Sequence, residues 1–247
     1  MLGPVRKLLR GDPSIGWLQP LPKEPPVDRR QLLLTFARGN RVIHLGFTDE
    51  RQTESKLREG RWLHSDLAAA SSQLVGLDTD VAGVEQARAQ GYEAYVVDVQ
   101  DSEAVNALAL QPADVVIAGE IIEHLESPGP FLRSVKPLLN PTGRLVVTTP
   151  NAYRAAGFLA PLLGEELIHP DHVGIHSIHT LRTLGRRAGY RVDKLGYYQN
   201  TPQLGRTPVG LLAKLVRSIQ ALILKRAPHW SDGIYAVYSL QSEPLPE

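Results

Sequence analysis

The chain has 247 residues, 27 basic against 26 acidic, a formal net charge of +1 and no cysteine. That length can bury a sizeable core, and near-neutrality offers no global field for nucleic acid, so no nucleic-acid partner is expected. The absence of cysteine from these residues removes disulfides, thiolate catalysis and Cys-ligated zinc. The opening run MLGPVRKLLRGDPSIGW holds no sustained apolar stretch, and no apolar run nears the roughly 20 residues that span a bilayer. A cytoplasmic location is expected.

Residues 1–30 carry Pro4, Pro13, Pro20, Pro22, Pro25 and Pro26, which disfavours regular structure and predicts an arm lying on the domain. Residues 31–247 read as one domain. Strand signals recur at Arg41–Leu45, Gln73–Leu77, Glu93–Val97, Asp114–Ala118 and Arg144–Thr149. Helix-compatible stretches fall between them at Glu54–Ser72, Val81–Gln90, Ser102–Leu108 and Pro130–Leu139. The strands are short and almost continuously apolar, as expected where both faces of a parallel sheet are covered. Such alternation predicts an α/β, doubly wound, mostly parallel sheet with helices on both faces.

Further along, Ala152–Leu163 reads as a cover helix, Ile178–Ala188 as a helix, and Tyr190–Tyr198 and Gly233–Leu240 as strands. The last strand follows a long connection, so it is expected to lie antiparallel beside Tyr190–Tyr198. Val209–Arg226 is a C-terminal amphipathic helix with Leu212, Leu215, Val216, Ile219, Leu222 and Ile223 on one stripe. A stripe of this kind packs on its own domain, forms a homodimer, or makes peripheral membrane contact through its basic flank.

Chemistry-bearing residues gather at strand ends. The first strand ends at Gly46, the second at Asp78 and the third at Asp98. Each alone reads as a turn or a helix cap, and Asp78 or Asp80 can simply cap the helix that follows. In order, they occupy the carboxyl ends of successive strands, where open α/β sheets bind ligands. Beyond the fourth strand stand Glu120, Glu123 and His124, spaced to share one face of a helical turn. Two carboxylates and an imidazole there suit Mg, Mn or Zn, with His172 of HPDHVGIHSIHT as a fourth ligand. The metal-free alternative makes His124 a general base or a structural residue, and Glu123 a complement to a helix N-terminus. Among His169, His172, His176 and His179, His172 is the site candidate. His44 and His64 read as packing or cofactor-shell residues.

Gly46, LVGLDTD, VVDV and above all AGEIIEHL…FL…LLNPTGRLVVTTPN resemble the class I S-adenosylmethionine-dependent methyltransferases. The branch most similar is that of the ubiquinone-biosynthesis O-methyltransferases, over about residues 41–198. The resemblance implies seven strands in the order 3-2-1-4-5-7-6 and S-adenosylmethionine as cofactor. It implies that Gly46 and Phe47 line the methionine moiety, that Asp78 takes the ribose, that Asp98 and Val99 hold the adenine, and that Gly119 and Glu120 floor the pocket. The E-x-x-E-H run with its later D-H is similar to the metal site of small-RNA 2′-O-methyltransferases.

The first motif departs from the family. It reads HLGFTDE, with Phe47 and Asp49 where small residues are usual. Two functions stay open. One is O-methylation of a small-molecule acceptor, with His124, Glu123 and His172 catalytic. The other is a non-catalytic binding or scaffold protein of the same fold. An NAD-dependent dehydrogenase is disfavoured by the lack of GxGxxG. The acceptor pocket falls to residues 152–175 and 197–230.

Overall fold

The computed structural model describes residues 18–48, 61–200 and 220–241. Asp49, the insertion 50–60 and residues 209–219 of the amphipathic stretch lie outside the described residues. In chain order the elements are β1 (Val27–Asp28), α1 (Arg29–Ala37), β2 (Arg41–Leu45), α2 (Leu63–Ala70), β3 (Gln73–Asp78), α3 (Val81–Ala89), β4 (Glu93–Val96) and α4 (Ser102–Ala107). There follow β5 (Ala113–Gly119), α5 (Pro128–Ser134), β6 (Leu139–Pro150), α6 (Ala155–Leu159), α7 (Ile178–Arg187), β7 (Tyr190–Gln199) and β8 (Gly233–Leu240).

These strands form one mixed sheet in the order β1-β7-β8-β6-β5-β2-β3-β4. β8 runs antiparallel to both β6 and β7, while the other pairs are parallel. The sheet therefore has eight strands rather than the expected seven. The extra one comes from the segment read as an arm. Pro20, Pro22, Pro25 and Pro26 supply no N–H to a ladder. Pairing starts only where the prolines end, with Val27 opposite Tyr198 and Asp28 opposite Gln199. Asp28 then caps α1, its Oδ1 accepting from the Gln31 N–H at 2.9 Å.

Alternation along the strands explains why they read as unbroken apolar runs. Ile43, Leu45, Val116 and Leu145 pack with Phe131 and Leu132 of α5 and Leu181 of α7 on one face. Val42, Val115, Ile117 and Val146 pack with Leu33 and Ala37 of α1 and Leu67 of α2 on the other. Two covered faces leave the carboxyl ends of β2, β3 and β5 as the open rim. Among the described residues, no helix is long and apolar enough to cross a membrane.

Candidate active site

Gly46 leaves β2 with φ +58°, and a Cβ there would stand 2.7 Å from the Ile121 side chain, so the position requires glycine. Its N–H donates to the Leu77 carbonyl at 2.8 Å, tying the turn to the end of β3. Asp78 closes that strand end. Its Oδ2 accepts from the Thr48 N–H and hydroxyl, both at 2.9 Å, while Oδ1 accepts from the Asp80 N–H at 3.0 Å. A carboxylate oxygen has two lone pairs, so Oδ1 keeps capacity for a ligand hydroxyl.

Phe47 corrects the sequence reading. Its side chain does not line the rim: it is buried with Trp62, Val84, Ala87 and Ala94. Gly76 makes the room, since a Cβ there would stand 2.7 Å from the Phe47 ring. Only the Phe47 backbone stays at the turn, and its carbonyl accepts from Trp62 Nε1 at 3.1 Å. Asp98 is exposed and its Oδ1 accepts from the Gln100 N–H at 2.9 Å. Val99 is buried in the main core, and its carbonyl accepts from the Ser134 hydroxyl.

Beyond β5 the geometry departs from a single helical face. Glu120 takes a left-handed φ of +60°, and the helical turn is a short 3-10 segment, Ile122–His124. Glu120 instead engages residues of β7 and α1. Its Oε1 accepts a 2.5 Å hydrogen bond from Tyr198 and lies 3.7 Å from Arg29 Nε. Arg29 also donates to Thr148 Oγ1 at 3.1 Å, and a Cβ at Gly119 would stand 2.7 Å from its Nη2. Arg29, Thr148 and Tyr198 were not legible as site residues. The arginine sits at the end of the proline-rich segment, where no motif marks it.

Glu123, His124 and His172 do converge. One ligand atom from each lies within 4.8 Å of the others, and His172 Nε2 is 4.0 Å from Glu123 Oε1. Glu120 is absent from this group, which corrects the expected set of four. The loop carrying His172 is stapled to the 3-10 turn: the Val173 and Gly174 N–H groups both donate to the Glu123 carbonyl at 2.9 Å. A bridge between Asn151 and His176 ties the same loop to the end of β6. His169 lies on the outer side, its ring 5.3 Å from that of His172. His176 is buried, its Nε2 3.4 Å from the Ile122 carbonyl. His179 belongs to α7.

The electrostatics differ across the trio. Glu123 is buried, and burial first, then the Glu120 charge, push its carboxyl up to about 8. Thr149 donates to its Oε2 at 2.9 Å, whereas Oε1 is buried without a hydrogen-bond partner among the described residues. Burial and the neighbouring His124 hold His172 below the usual histidine range. His124 Nδ1 sits 3.2 Å from the Asp171 carbonyl. A carbonyl only accepts, so the proton resides on Nδ1 and the Nε2 lone pair is left free.

A family model described as a methyltransferase domain matches residues 33–195. The chain belongs to that family. Its fold is that of the class I S-adenosylmethionine-dependent methyltransferases. An S-adenosylmethionine-dependent methyltransferase from Archaeoglobus fulgidus matches 85% of this chain and 93% of its own, at TM-score 0.52 and 15% identity. A methyltransferase solved in complex with the Haloferax volcanii Trm112 activator matches 87% of this chain and 90% of its own, at TM-score 0.54 and 16% identity. Among curated proteins, the ubiquinone biosynthesis O-methyltransferase of Azorhizobium caulinodans is 32% identical over 111 residues, 44% of each chain. That of Xylella fastidiosa strain 9a5c is 31% identical over 120 residues, 47% of this chain and 49% of its own. The chain thus spans about half the length of the curated relatives it matches.

Proposed function

We propose that the protein transfers the methyl of S-adenosylmethionine to a hydroxyl oxygen of a small-molecule acceptor. The observation that carries this reading is the convergence of Glu123, His124 and His172 beyond β5, one strand over from Gly46 and two from Asp78. The cofactor's sulfonium supplies an electrophilic methyl. The residues present fit it: Gly46 leaves bare backbone, Asp78 offers an acceptor to ribose hydroxyls, and Arg29 offers a cation to the methionine carboxylate. Asp98 lies at the end of β4 for the adenine amino group, with Val99 behind it. The arginine Nη atoms carry no hydrogen bond among the described residues.

Methyl transfer is an in-line displacement, and the protein's task is alignment plus proton removal. As the acceptor oxygen bonds the methyl carbon and the carbon–sulfur bond breaks, the hydroxyl proton passes to His124 Nε2. Protonated Glu123 and neutral His172 line the same space and orient the acceptor. The segment 152–175 supplies the acceptor wall, where Phe158, Leu162 and Leu163 stand exposed.

A second reading of the same trio is favoured by the buried Oε1 of Glu123, which has no hydrogen-bond partner among the described residues. With His124 and His172 it forms a donor set suited to Mg, Mn or Zn. A divalent cation held there would lower the acceptor hydroxyl's pKa in place of a base.

Calorimetric titration with S-adenosylhomocysteine tests the cofactor assignment. The wild type should bind, and Asp78→Ala should bind about 10- to 100-fold more weakly for loss of a charged acceptor, roughly 1.5–3 kcal/mol. A wild type that does not bind would leave the scaffold reading in its place.

A further inference from the structure

A cavity of about 910 Å³ runs along the outer edge of β7, between that strand and residues 20–27. None of the strand-end residues at Gly46, Asp78 or Glu123 lines it. Its origin is the same proline chemistry that created β1. Pro20, Pro22 and Pro25 follow the strand without donating to it, so the two segments stand apart until Val27 pairs with Tyr198.

The walls and the rim differ in character. Leu21, Tyr190, Leu195 and Tyr197 give an apolar trough, and Arg182, Arg186, Arg191 and Lys194 bring cations to it. The acidic residues of the lining are Glu24 and Asp193, and Asp193 is engaged by Arg144 at 3.0 Å and Arg191 at 2.8 Å. Arg182 and Arg186 lie one turn apart on α7, and neither has an ion pair among the described residues. The Tyr197 hydroxyl is buried in the wall with no hydrogen-bond partner among the described residues.

A peptide strand does not fit this edge. β7 carries an irregularity between Val192 and Lys194, a lysine faces outward there, and prolines flank it. Bulges, edge lysines and prolines are the devices that stop strand addition. An apolar trough with paired guanidinium groups fits instead a molecule with an apolar body and an anionic head, because arginine matches carboxylate and phosphate in bidentate geometry.

We propose that this groove binds a monomeric amphipathic anion, its carboxylate or phosphate head held by Arg182 and Arg186 and its apolar body lying on Leu21, Leu195 and Tyr197. The site is independent of the methyl-transfer reading. Dodecyl phosphate, kept below its critical micelle concentration, is the probe, with calorimetric titration of the full chain as the measurement. Saturable binding is expected, about ten-fold weaker in the double variant R182Q/R186Q. Dodecyl maltoside, with an uncharged head, should bind wild type and double variant alike and more weakly than the phosphate. Leu21→Asp attacks the trough without touching the cations and should weaken both probes. S-adenosylhomocysteine titration and the thermal midpoint of R182Q/R186Q should match wild type, showing the fold intact. No saturable binding of dodecyl phosphate, or equal affinity in R182Q/R186Q, would overturn the proposal. So would binding to phosphatidylglycerol vesicles without binding of the monomer, which would point to a membrane surface.

Discussion

Tyr198 donates a 2.5 Å hydrogen bond to Glu120, a non-glycine residue held at φ +60°. A backbone of this kind costs on the order of 1–3 kcal/mol and persists only where neighbours over-determine it. Tyr198 from β7 and Arg29 from the start of α1 supply that constraint together at one carboxylate oxygen. Tyr198→Phe should therefore lower stability by about 1–3 kcal/mol in urea denaturation, the range for losing a hydrogen bond to a charged group, with Arg29 still beside the carboxylate. Glu120→Gly should be more stable than Glu120→Ala by about 1 kcal/mol, because glycine takes positive φ without strain. Equal midpoints for those two variants would show that the backbone, not the carboxylate, is unstrained there.

Arg29 carries a separable role. Its guanidinium lies against Gly119 at the end of β5, hydrogen-bonded only through Nε among the described residues. Arg29→Met should weaken S-adenosylhomocysteine binding by about 10- to 100-fold, the range for losing a charged hydrogen bond. A decarboxylated analogue should bind wild type and variant alike. If both ligands lose affinity equally, Arg29 holds the strand ends rather than a carboxylate.

The five parallel strands and the positions of Gly46, Asp78 and His124 were legible because period and strand-end order are local signals. Phe47 was not. Its place in the first motif suggests a ligand contact, yet Gly76, 29 residues further on, opens a core slot for the ring by no local rule. Glu120 leaves the expected ligand set for a different reason. The three-and-four spacing to Glu123 and His124 presumes a helix that starts at Glu120, and the chain instead takes a left-handed turn first. Arg29 and β1 depend on where a run of prolines ends relative to an edge strand, which is a tertiary fact.

His44 and His64 make the protein acid-sensitive. Both are buried, their Nδ1 atoms 3.2 Å apart, so one proton is shared between them and a second cannot be accommodated. Burial pushes His64 down to about 3, and burial with the His64 neighbour pushes His44 well below 6.5. The folded state thus resists protons that the unfolded chain takes up near pH 6.5. Stability is fully present above that pH and is lost as pH falls toward 3, with a limiting slope of about 1.4 kcal/mol per pH unit for each histidine. Urea midpoints measured from pH 7.5 to 5 should fall, and His64→Phe should flatten the fall. A pH-independent wild type across that window would contradict the shared-proton geometry.

The base and the cation readings of the site part company under chelation. The trio is placed by three separate ties: Thr149 on Glu123 Oε2, the Val173 and Gly174 N–H groups on the Glu123 carbonyl, and the Asp171 carbonyl on His124 Nδ1. These ties need no ion, so the loop should stay seated when a chelator is added. If His124 Nε2 is the base, EDTA leaves turnover unchanged, and His124→Ala slows it by roughly 10²–10⁴-fold with cofactor affinity kept. If a cation activates the acceptor, EDTA abolishes turnover, Mg or Mn restores it, and Glu123→Gln abolishes the restoration because it removes the charged donor. Calorimetric titration of Mg or Mn into the chelated protein gives the readout that activity alone cannot. Binding that vanishes in Glu123→Gln but persists in Glu120→Gln would assign the ion to the trio that converges, and not to the set of four that the spacing alone suggested.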